Sequence, residues 1–211
     1  VCSSDLALSP ITAPYLSLWP STDLINPNGS GVITIPVPAS QVGDENYYLG
    51  RFDYTIGSKD SMMARVVRDG GTLKNPFPYT TIPLWPDLEP STNTYAAIEE
   101  RHIFSSNLIN VARANFVRTV NSSRTQNSVG NLMQFTPGQG RQDGQLQVTG
   151  LSFLGAQALE PYDVIQNKFT ESDEMIWTKG AHTFKFGAAI TRQQTYEYQP
   201  FRASGLFIYN S

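Results

Sequence analysis

Charge is scarce in this chain. Lysine, arginine, aspartate and glutamate make up 16% of its 211 residues, and a net charge of -3 supplies no basic field to hold a phosphate backbone. The fifteen lysines and arginines are scattered, so nucleic acid is not an expected partner. No run of about 18 apolar residues occurs, which excludes a transmembrane helix. A transmembrane barrel stays open, because its strands alternate in polarity and score weakly on hydropathy. Cysteine occurs once, at Cys2, so the chain has no disulfide framework of its own. The two histidines, His102 and His182, lie far apart, in neither a helical pair nor a cysteine-containing motif. They read as polar residues at strand ends or turns, and no metal or cofactor is expected. Gly138, Gly140 and Gly144 lack the GK[ST] ending and preceding strand of a phosphate loop. Asp173 and Glu174 are adjacent, so strand alternation sends them to opposite faces and denies them the role of a glycosidase carboxylate pair. The chain is therefore not expected to be an enzyme.

What is present favours strands and loops. Aromatic residues reach 11%, glycine and proline number 16 and 14, and clusters of helix-favouring Ala, Glu and Lys are few. Residues 1–6, VCSSDL, read as the translated tail of a sequencing adapter and are set aside as an artefact. The chain has no initiator methionine or signal peptide and stops inside a strand pattern at Phe207, Ile208 and Tyr209, so truncation at both ends is expected.

Residues 7–45 are rich in proline, with Asn26-Pro27-Asn28-Gly29 as a turn signal, and read as loop. From Asn46 the pattern changes to alternation, with Tyr48, Phe52, Tyr54 and Ile56 opposing Leu49, Arg51, Asp53 and Thr55. Gly57-Ser58-Lys59-Asp60 turns the chain, and Met62, Ala64 and Val66 return opposite Met63, Arg65 and Val67. Gly70-Gly71 then opens a proline-rich excursion. A second hairpin is expected from Thr94–Phe104 and Ile109–Arg118, although residues 96–118 also fit a helical hairpin. Residues 119–165 form the largest loop. A third hairpin joins Phe169–Lys179 to His182–Gln193, and a last strand runs over Ser204–Tyr209. Short turns thus alternate with long excursions. That asymmetry predicts an all-β antiparallel meander of about seven strands forming a sector of a transmembrane β-barrel, with short periplasmic turns and long extracellular loops. Residues 46–211 would be the partial barrel.

Several phrases carry a family resemblance. Tyr48-Leu49-Gly50-Arg51-Phe52-Asp53-Tyr54, Ser58-Lys59-Asp60, Ser106-Asn107-Leu108-Ile109-Asn110 and, most specifically, Trp177-Thr178-Lys179-Gly180-Ala181-His182-Thr183-Phe184-Lys185-Phe186-Gly187 resemble phrases that recur in the same order in the Oar-like class of TonB-dependent receptors. Leu151-Ser152-Phe153-Leu154-Gly155 resembles a loop phrase of the class. The resemblance covers roughly residues 10–211 and implies a barrel of about 22 strands, with a carboxypeptidase-regulatory-like domain and a plug upstream. It implies a place in the bacterial outer membrane and passage of a large solute, such as an iron chelate, oligosaccharide or peptide, energised by the TonB complex through a plug that this chain lacks.

On this reading Arg51, Asp53, Arg65, Arg113 and Lys185 face the lumen as ordinary wall residues. Phe52, Tyr54, Ile56, Met62, Ala64, Val66, Phe184 and Phe186 face outer-membrane lipid. Tyr47, Tyr48, Trp177, Tyr196, Tyr198 and Tyr209 are candidates for the interfacial aromatic girdles. Trp19 and Trp85 lie in loops, where they would stack on a sugar ring or cover a local patch. The rival reading is a soluble secreted β-sandwich that binds or cleaves polysaccharide, which would share the short strands and loop aromatics.

Overall fold

The computed structural model describes residues 9–20, 36–136 and 142–210. The adapter-like residues 1–6, the turn signal at 26–29 and the glycines Gly138 and Gly140 lie outside them. Among the described residues one short helix, α1 (Ala13–Leu16), is followed by eight strands: β1 (Val42–Thr55), β2 (Asp60–Asn75), β3 (Asp87–Ser105), β4 (Leu108–Thr125), β5 (Gln145–Val148), β6 (Tyr162–Lys179), β7 (His182–Tyr198) and β8 (Leu206–Tyr209). Six of them form one sheet in the order β1-β2-β3-β4-β6-β7, each pair antiparallel.

The turns follow from local chemistry. Gly180, at φ +60°, supplies the left-handed residue that the Gly180-Ala181 connection of β6 to β7 needs. Residues 106–107 join β3 to β4, and the amide of Ile56 donates to the Asp60 carbonyl at 2.9 Å to close the β1–β2 turn. All three short turns lie at one end of the sheet. Residues 76–86, 126–136, 142–161 and 199–205 gather at the other end, as do residues 36–41 leading into β1.

Strands of 14 to 19 residues exceed the roughly 9–11 that a tilted strand needs to cross hydrocarbon. Their excess lies at the loop end, where β3 begins Asp-Leu-Glu-Pro-Ser-Thr-Asn-Thr and β4 finishes Val-Asn-Ser-Ser-Arg-Thr. Toward the turns, by contrast, one face becomes apolar. Strand length and polarity therefore agree on where an apolar band would sit.

The strands are longer than the sequence pattern indicates. Gly70 and Gly71 do not open the excursion; they pair with Thr92 and Ser91 inside the β2–β3 ladder, which runs on to Asn75. β4 likewise continues to Thr125, so the large loop starts after it. Pro90 lies within β3 opposite Thr72, and β3–β4 pairing lapses between Leu88 and Ser91, where a residue without an N–H breaks the ladder least. Residues 96–118 form the β3–β4 hairpin rather than two helices. The last predicted strand is β8, but it pairs in parallel with β5 in a separate two-stranded sheet, leaving six strands in the meander.

Among the described residues no second sheet of comparable size packs on the six-stranded one, and β1 and β7 are exposed along their whole length. A β-sandwich must bury one face of each sheet against the other. The sandwich reading therefore fails on architecture.

Candidate functional site

Residues opposite one another in an antiparallel ladder share a face. The register links Arg51, Arg65, Ala97, Asn115, Thr170 and Thr191 in one row across the sheet. Asp53, Arg113 and Lys185 share that parity, so all five predicted lumen residues fall on a single face. Ion pairs cross it. Arg51 holds Asp53 through two nitrogens, each at 2.7 Å, Arg113 reaches Glu99 on the neighbouring strand at 2.6 Å, and Lys185 reaches Glu174 at 2.9 Å. The Tyr95 hydroxyl donates to Asn115 on the same face. Arg51 and Arg65 are direct cross-strand partners, an unfavourable like-charge pairing that Asp53 offsets by taking up Arg51. This is a charged face laced by ion pairs.

The opposite face carries the row Phe52, Ala64, Ile98, Ala114, Glu171 and Ile190. Tyr54, Met62, Val66, Phe184 and Phe186 share its parity, as do Phe116 and Phe169, whose rings lie 5.0 Å apart across β4 and β6. Ile56 falls just past the end of β1, in the turn. Of the girdle candidates, Trp177, Tyr48, Tyr196 and Tyr198 lie on the apolar face, with Trp177 against Phe184 at 5.6 Å and the Lys179 ammonium over its ring. Tyr47 lies on the charged face and Tyr209 in β8, so neither joins that surface.

Carboxylates interrupt the apolar face, among them Asp60 at its turn end. Glu100, Asp173 and Glu171 rim a shallow groove floored by Ala112, Ala114 and Ala188, and Asn110 donates to Asp173. Alternation alone did not single out Glu100 and Glu171, because their place on this face shows only once the ladder register is known. Asp173 and Glu174 do point to opposite faces, beside Ala112 and Val111 respectively.

At the loop end the long segments fold on one another. Ile82, Trp85, Met133 and Leu154 form a buried core, against which Leu18, Trp19, Val129, Phe135 and others pack. Trp19 donates to the Ser152 carbonyl at 2.8 Å and Thr80 to the Phe153 carbonyl at 2.5 Å, tying three segments together. Gly155, at φ +92°, lies so close to the chain that an added Cβ would sit 1.8 Å from the Gly144 oxygen. Gly144 is a packing glycine as well, since an added Cβ there would meet the Phe135 ring at 2.3 Å and the Ser204 oxygen at 2.7 Å. Trp85 is 1% exposed and its indole donates to Asp143 at 2.9 Å. It covers a core and has no free face for a sugar. Beside it, Thr125, Asn127, Gln134, Gln142 and Asp143 line a polar cavity of about 210 Å³.

A buried acidic pair fastens this cap to the strand ends. Glu160 accepts the hydroxyls of Ser123 and Thr125 at 2.6 and 2.5 Å. Asp87, at the first position of β3 and 1% exposed, lies beside it. Burial first, and then the Glu160 carboxylate, push the Asp87 pKa up to about 8. Burial also raises that of Asp143. Neither was legible in the sequence, since Asp87 and Glu160 lie far apart in the chain.

A meander with one apolar and one charged face, short turns at one end and long loops at the other is the pattern of a membrane barrel wall. The whole chain, residues 1–211, matches the family described as Outer membrane beta barrel domain. No curated protein sequence matches it. The chain thus belongs to the outer membrane β-barrel domain family and is a protein of the bacterial outer membrane.

Proposed function

We propose that this chain is barrel wall and outer loops of a TonB-dependent receptor of the Oar-like class, conducting a large solute across the outer membrane. The carrying observation is the segregation of the connections: among the described residues the long segments meet in one folded cap, while the opposite end has tight turns. In outer-membrane barrels the long loops are extracellular, which puts the cap where a solute first arrives. The charged face then lines the lumen and the apolar face meets lipid. Backbone groups left unpaired in hydrocarbon cost several kcal/mol each. The free edges of β1 and β7 therefore need further strands, and a barrel of about 22 strands would hold a plugged lumen. Support for the finer class comes from the sequence phrases, above all the one spanning the β6–β7 turn. Contact with the TonB complex would pass through a plug.

Uptake by cells carrying or lacking the gene tests this, with labelled ferric chelate, oligosaccharide and peptide as probes and with the TonB system intact or disabled. Loss of uptake of one class on deleting either component is expected. Uptake of all three that is indifferent to both deletions would sink the transport reading while leaving the membrane location standing.

A further inference from the structure

We propose that Asp60, Glu100 and His102 form a divalent-cation site at the turn end of β2 and β3. Asp60 opens β2, and His102 is its direct partner on β3. Glu100 lies two residues along β3 and so shares their face. One ligand atom from each of the three falls within 4.8 Å of the other two. An imidazole nitrogen with two carboxylate oxygens suits zinc and its first-row neighbours rather than calcium or copper(I). Three protein ligands leave a fourth position for water.

The site is held by backbone. The Asp60 carbonyl accepts from Ile56 at 2.9 Å, and the Lys59 carbonyl from Ile103 at 2.8 Å, so the ligands hang from a hydrogen-bonded hairpin corner and little order is lost on binding. Phe104 meets the His102 ring edge-on at 4.3 Å and restricts its rotation. All three side chains are half-buried, which raises the cost of two neighbouring carboxylates with no cation between them. His102 already contacts Asp60 through Nδ1; a bound ion would take the place of the shared proton. Its role would be to pin the turn ends of two strands, and it does not depend on the transport reading.

The test uses the full-length protein in detergent, stripped with EDTA and titrated with zinc chloride by calorimetry, then with cobalt(II) followed by visible absorption. One zinc per chain is expected, with a higher melting temperature in zinc. His102→Ala should weaken binding at least tenfold and Glu100→Gln several-fold. His182→Ala, which alters the other histidine at the β6–β7 turn, should change nothing. The proposal is overturned if the wild type binds zinc no better than His102→Ala, or if His182→Ala removes binding equally. Should His102→Ala fail to fold, as judged by heat-modifiable migration on gels, Glu100→Gln decides: an unchanged cobalt spectrum and affinity would leave only a His–Asp hydrogen bond.

Discussion

Phe184 and Lys185 are neighbours in the chain that meet opposite surroundings. Lys185 reaches Glu174 across the charged face, while Phe184 packs on Trp177 within the apolar one. Arginine on the lipid face of an outer-membrane barrel costs about 2–4 kcal/mol near the bilayer midplane and about 0–1 kcal/mol near an interface. Trp177 and Lys179 place Phe184 toward the turn-side interface, whereas Phe186 stands one pleat repeat deeper. Phe184→Arg is therefore expected to lose about 1–2 kcal/mol and Phe186→Arg more, as read from denaturant unfolding out of lipid vesicles. Equal and negligible losses at both positions would mean that this face does not meet lipid.

At the scale of elements, alternation revealed the turn-side halves of the strands, because there one face is apolar and the other polar. It failed toward the loop end, where both faces are polar and Gly70, Gly71 and Ser122–Thr125 look like loop. Only ladder pairing with a neighbour holds such residues in a strand, and pairing is not written in a local window. β8 was visible as a strand, but its parallel partner β5 lies inside what read as a structureless loop. The charged wall was legible from parity alone; the cap was not, since its core joins Trp19, Trp85, Met133 and Leu154 from separate loops. The buried acids there make a testable element. Asp87 keeps its proton in the folded cap to about pH 8, while in an opened cap it loses it at ordinary carboxyl values. Folded-state affinity for the proton is the higher, so this contribution is complete below the ordinary carboxyl pKa and lost as pH rises through about 8. Opening of residues 76–86 and 142–160 should rise by up to about tenfold per pH unit across that window and level off above it. Amide exchange in those segments, corrected for its intrinsic rate, reads this directly. Asp87→Asn should flatten the profile; a wild-type profile already flat would remove Asp87 as the pH-dependent fastener.

For the whole molecule the question is what completes the sheet. β1 pairs only with β2 and β7 only with β6 among the described residues, so each presents one row of backbone donors and acceptors without a ladder partner there. Water can satisfy such a row, whereas hydrocarbon cannot, and an exposed strand edge also invites association with other chains. The apolar face shows that these edges cross the same band as β3 and β4, whose ladders are paired on both sides. In the full-length protein folded in lipid, further strands should therefore cover both edges. Amide exchange then separates the alternatives by position along one protein. With a closed barrel, alternate amides of Leu49–Thr55 and of Phe184–Ile190, those aimed away from β2 and β6, should exchange as slowly as the amides of Ala96–Ile103 and Val111–Phe116. If instead those outward amides exchange orders of magnitude faster while the inward ones stay protected, the sheet is open at that edge. The charged face could not then line an enclosed lumen, and the transport reading would lose its conduit.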